Sequence, residues 1–135
     1  TEISIDMRAL DKKVLGQMVA AARKASQQAA KRCKVTVEWS QLLRIEPRLF
    51  DEDLLKMCRK SVKKIAGSAP ELPSGPLHDA SEIAAVLPSV MIFAQSSPGI
   101  SHTKIEDTPL PHLDKSIRAF LDLVEQTTAY VAARP

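Results

Sequence analysis

Hydrophobic and polar residues alternate from Glu2 to Ala9, with Ile3, Ile5 and Met7 on one side and Ser4, Asp6 and Arg8 on the other. A period of two predicts a half-buried strand. From Asp11 to Arg32 the period becomes helical, with Val14, Leu15, Met18, Val19, Ala22, Ala25 and Ala29 on one face and Asp11 placed to cap the start. Alternation returns at Val35, Val37 and Trp39 and predicts a second strand running toward Leu43, with Trp39 as a packing residue. Strand, helix and strand make a βαβ unit, a layer so thin that its sheet edges need a partner.

Arg44 to Phe50 contains Pro47 and reads as a crossing to a larger layer. A helix is predicted from Glu52 to Ala66, capped by Asp51 and ended by Gly67, with Leu54, Leu55, Cys58, Val62 and Ile65 inward. Asp79 is a suitable N-cap for a short helix from Ala80, with Glu82 as its capping-box partner, and Pro88 obliges that helix to stop by Leu87. Ser89 to Ala94 is an apolar run of the kind buried on both faces of a sheet. The prolines between Asp107 and Pro111 predict irregular structure. A last helix is expected from about His112 to Ala133, with Leu113, Ile117, Phe120, Leu121, Val124 and Val131 facing the sheet. The expected fold class is α/β, with one boundary that divides residues 1–46 from residues 47–135.

Composition narrows the functional classes. The 135 residues are 44% hydrophobic and 26% charged, which is enough apolar material for a core and argues against disorder. Net charge is +3, but the cations are interleaved with acids along helix faces, and one Trp and one Tyr offer little base stacking, so a nucleic-acid role is not expected. Lys56, Arg59, Lys60, Lys63 and Lys64 read as a solvated face. No apolar run approaches a membrane span. Cys33 and Cys58 have no metal-ligand spacing and no disulfide framework, and both are expected to be inert and buried in a cytoplasmic, reducing setting. A chain that opens on Thr1 and enters a strand-like segment at once is expected to be a processed product or a piece of something longer.

Candidate chemistry lies between Ser74 and Glu106. His78 stands just before a helix and His102 just after a strand-like run, the usual site geometry of an open α/β sheet. Ser74-Gly75-Pro76-Leu77-His78-Asp79-Ala80, then Met91-Ile92-Phe93, then Gly99-Ile100-Ser101-His102-Thr103-Lys104-Ile105-Glu106 resembles, in order and spacing, the C-terminal signature of the hydantoinase/carbamoylase amidases. This metal-dependent group includes N-carbamoyl-L-amino-acid hydrolases, allantoate amidohydrolases and ureidoglycolate amidohydrolases. The likeness extends from the Ile5-Asp6-Met7-Arg8 segment to the final helix.

That resemblance implies a fold: a partial βαβ lid followed by the C-terminal half of a metallopeptidase-like catalytic domain. It also implies roles. Arg8 would hold a substrate carboxylate through paired hydrogen bonds, against the bland alternative of a surface pair with Asp6. His78 and the backbone around Gly75 would orient the substrate. His102 would be a ligand of a divalent metal, zinc with manganese as the alternative, which lowers the pKa of a bound water. Glu106 would be a supporting partner or loop anchor, and His112 would only meet solvent. The family's remaining ligands and its general-base glutamate come from an N-terminal part that no segment here matches. Pro76 and Leu77 stand where the family has Ala-Gly, and Thr103 where it has Asn. The implied activity is cleavage of a carbamoyl or ureido C–N bond in a carboxylated small molecule. Half a lid implies a homodimer or swapped assembly. The competing expectation is a non-catalytic assembly or binding domain of the same origin.

Overall fold

A computed structural model describes residues 1–133. Among them are four helices: α1 (Lys12–Cys33), α2 (Glu52–Ala66), α3 (Asp79–Ile83) and α4 (Leu110–Ala132). The chain divides into two compact units, Thr1–Arg48 and the residues from Leu49 onward.

In the first unit, the Asp11 carboxylate accepts from the Val14 N–H at 2.8 Å and satisfies a donor that the first turn of α1 leaves open. Lys31 and Arg32 lie in the last turn, where cations oppose the negative end of the helix. Lys34 closes α1 in the left-handed region at φ 55°, and the Val35 N–H then returns to the Ala30 carbonyl at 3.0 Å. Trp39 folds back on α1, donating its indole N–H to Ser26 Oγ at 2.8 Å beneath the Arg23 guanidinium, 5.6 Å from the ring centre.

In the second unit, α2 packs on α4. Asp51 Oδ1 accepts from the Leu54 N–H at 2.9 Å to start α2, and Gly67 ends it at φ 83°, where a side chain would be strained. The seam is partly polar. Ser61, fully buried, donates to Asp122 Oδ2 at 2.7 Å and accepts from Gln126 Nε2 at 2.7 Å, while Lys64 Nζ reaches Asp122 Oδ1 at 2.5 Å. Tyr130 adds a hydroxyl bond to Asp53 at 2.9 Å. Cys58, Ala119 and Leu123 are the buried apolar residues around this network.

Several expectations are corrected here. The βαβ pairing does not form: residues 2–9 and 35–43 carry no strand, and the one β-bridge among the described residues joins Ser97 to Asp107. Alternation marks which side of a strand is apolar, but only a neighbouring strand can fix it, and here Ile3 is 78% exposed. The 89–94 run is likewise not paired into a strand, and Phe93 is open to solvent rather than buried. The α3 N-cap is His78, not Asp79, and no side chain caps it. The last helix begins at Leu110, because a proline in the first turn gives up an N–H that has no helical partner anyway. Its expected inward face is its open one: Leu113, Ile117, Phe120, Leu121, Val124 and Val131 are all exposed, while Ala119, Asp122, Leu123 and Gln126 turn toward α2. Cys33 is exposed; Cys58 is buried, and burial pushes its thiol pKa up.

Candidate functional site

Two motif segments of the second unit carry the candidate histidines. Ser74 Oγ donates to the Pro76 carbonyl at 2.7 Å, turning the chain toward His78. His78 is extended, at φ −128° and ψ 149°, and sits half-buried with its ring edge-on to Phe93, centroids 6.3 Å apart at 72°. The Met-Ile-Phe segment therefore supports the first histidine through its third residue. Around Gly75, a Cβ would meet no heavy atom within 4 Å, so crowding within this chain does not demand glycine there.

The second histidine is presented by a closed loop. Its base is the antiparallel bridge in which the Ser97 N–H donates to the Asp107 carbonyl at 2.7 Å. Gly99 turns at φ 87°, and Ser96 Oγ donates to the Ile100 carbonyl at 2.8 Å. His102 itself is left-handed at φ 60°, with its N–H donating to Glu106 Oε2 at 2.6 Å. The Glu106 N–H returns to the Thr103 carbonyl at 3.2 Å. The imidazole of His102 is exposed and makes no hydrogen bond to the described residues.

Arg8 lies in the first unit and grips Asp6. Its Nε lies 3.0 Å from Oδ2 and 3.2 Å from Oδ1, and its Nη2 lies 2.6 Å from Oδ2. The hydrogen bond from Arg8 lowers the Asp6 pKa, and the Asp6 carboxylate raises that of Arg8. The fork geometry expected for carboxylate recognition is thus present, directed at a neighbour two residues away.

The two site histidines share no hydrogen bond or ring contact, and no group of three His, Cys, Asp or Glu side chains among the described residues is arranged to hold a metal ion. His102 by itself does not fit a metal, since a tight site needs three or four converging donors. The side chains of the neighbouring His112-Leu113-Asp114 segment are engaged outside the histidine loops. His112 is half-buried, not merely solvent-facing, with Nδ1 3.3 Å from the Gln95 carbonyl, and Asp114 pairs with Arg118 at 3.6 Å. An open groove of about 360 Å³ in the second unit, bordered by Leu54, Ile83, Val90, Phe120 and Val124, includes neither site histidine.

The cationic face of α2 is largely spent internally. Lys56 pairs with Asp53, Arg59 with Glu71 and Lys64 with Asp122. No helix among the described residues is long and apolar enough to cross a membrane.

Comparison with known proteins places these segments in a family. The chain is 30% identical over 105 residues to an N-carbamoyl-L-amino acid amidohydrolase of Geobacillus stearothermophilus, covering 78% of this chain and 26% of that protein. It is 35% identical over 82 residues to an allantoate amidohydrolase of Bacillus subtilis (strain 168), covering 61% and 20%. A third relative, an N-carbamoyl-L-amino-acid amidohydrolase of Rhizobium meliloti, is 30% identical over 104 residues, covering 77% and 25%. The chain thus spans about a quarter or less of the length of these relatives. No solved structure matches it significantly. The profile of peptidase family M20/M25/M40 matches residues 5–126, nearly the whole chain, and the protein therefore belongs to that family.

Proposed function

We propose that this chain is the C-terminal portion of a metal-dependent amidohydrolase that cleaves a carbamoyl or ureido C–N bond in a carboxylated small molecule of the N-carbamoyl-L-amino acid or allantoate type. The observation that carries this reading is the ordered pair of motifs, Ser74-Gly75 to His78-Asp79 and Gly99 to Glu106, inside a segment that matches the family throughout. His102 supplies one ligand to a divalent metal, zinc before manganese, and the other ligands and the general base come from the N-terminal half of the enzyme. Arg8 takes the substrate carboxylate by exchanging it for Asp6, while His78 and the Gly75 backbone orient the remainder.

The surface supports a missing complement. Ile3, Val35, Leu42 and Leu43 are open along residues 2–9 and 35–43, and Phe120, Leu121 and Val124 are open on α4. In the complete enzyme these segments are strands of a lid formed by residues 1–46, and α4 covers the sheet of a catalytic domain that includes residues 47–135. A homodimer then closes the remaining lid edge. Two unbridged cysteines fit a cytoplasmic setting.

Hydrolysis and metal content measured on the protein that joins this chain to its N-terminal half test the proposal. His102→Ala is expected to abolish hydrolysis of N-carbamoyl-L-amino acids or allantoate and to reduce bound metal; unchanged activity and metal content overturn the assignment. Pro76 and Leu77, in place of the family's Ala-Gly, favour a second reading, a non-catalytic assembly or binding domain. A stable oligomer that takes up neither zinc nor a carboxylated ureide, even with the N-terminal half supplied, selects that one.

A further inference from the structure

We infer that Glu106 is the positioning residue of His102, acting on its backbone rather than on its ring. This deepens the proposed role of His102 and rests on it. A non-glycine residue in the left-handed region is disfavoured by contact between its Cβ and the backbone, and His102 is held there at φ 60°. The compensating contact is local: the His102 N–H donates to Glu106 Oε2 at 2.6 Å. The glutamate is itself anchored, because its own N–H donates to the Thr103 carbonyl and the next residue, Asp107, closes the loop base on Ser97.

The direction of a side chain follows from the φ and ψ of its own residue. Returning His102 to an ordinary negative φ would swing its imidazole away from the present direction. A carboxylate four residues downstream therefore sets where the ring points without touching it. The resemblance implies a supporting partner or loop anchor, and the bond the glutamate accepts comes from the His102 main chain.

Nuclear magnetic resonance on the 135-residue chain tests this with Glu106→Ala and Glu106→Gln, read by three signals: the φ-dependent HN–Hα coupling of His102, exchange of its amide, and exchange of the Ser97 amide as the control for loop closure. Glu106→Ala is expected to shift the coupling and to speed His102 amide exchange by about ten-fold while Ser97 stays protected. Glu106→Gln, whose amide oxygen still accepts, is expected to restore both His102 signals. An unchanged His102 coupling in Glu106→Ala overturns the inference. So does simultaneous loss of Ser97 protection, which would make the glutamate a brace of the entire loop. These signals need neither metal nor turnover, so they fail independently of the His102→Ala hydrolysis test.

Discussion

Ser61 Oγ on α2 and Asp122 Oδ2 on α4 lie 2.7 Å apart, and the serine is completely buried. A hydroxyl with no access to water must find its partners inside the protein, and Ser61 does so twice, donating to Asp122 and accepting from Gln126. The contact between the two long helices of the second unit is therefore specified by polar geometry as well as by apolar area.

Removing that hydroxyl takes one acceptor from Gln126 and one donor from Asp122, which stay bonded to each other at 2.6 Å. Ser61→Ala is expected to destabilise the protein by about 0.5–1.5 kcal/mol. Urea denaturation followed by far-ultraviolet circular dichroism checks it, with a lower midpoint and an unchanged slope as the expected result. An unaltered midpoint would mean that the network does not bear on stability.

Asp122 also carries a pH dependence. Its hydrogen bond from Lys64, followed by those from Ser61 and Gln126, lowers its pKa from 3.8 to about 2 against the opposing effect of burial. Because the folded pKa lies below the unfolded one, the stabilisation is full above about pH 4 and fades as pH falls through about 2. The gap between wild type and Asp122→Asn in urea midpoint should accordingly be widest at pH 5 and narrow toward pH 2. A gap that stayed constant would remove the assignment.

The cysteines should separate by reactivity. Cys33 is exposed at the end of α1, whereas Cys58 is buried and its thiol pKa is raised. Alkylation at neutral pH followed by mass spectrometry is expected to modify Cys33 rapidly and Cys58 only after urea is added. Equal rates in the native protein would contradict the packing of α2 on α4.

Helices α1 and α2 were legible because their ends are written in single residues: Asp11 and Asp51 cap the starts, and Gly67 stops the second. The start of α4 is not legible, since Pro109 and Pro111 look like breakers unless the first is the N-cap and the second lies in the first turn, where its missing N–H has no helical partner. Strand patterns at residues 2–9 and 35–43 were visible as alternation, yet pairing is a property of two segments and the described residues supply no partner. The larger apolar face of α4 predicts packing on a sheet, whereas its smaller, partly polar face is the one that meets α2. Ser61 carried no signal, because a serine among inward positions looks like a defect until Asp122 and Gln126 are seen beside it. At the candidate site, the family resemblance singles out His78, His102 and Glu106, but it does not reveal that the glutamate addresses a main-chain N–H.

The uncovered side of α4 has a cellular consequence. Phe120, Leu121 and Val124 in a row on one helix are the sort of greasy handle that holdase chaperones and quality-control proteases grasp. Under the proposed assembly, the N-terminal half would shield that row, and the abundance of this chain would then read out how much of it has assembled.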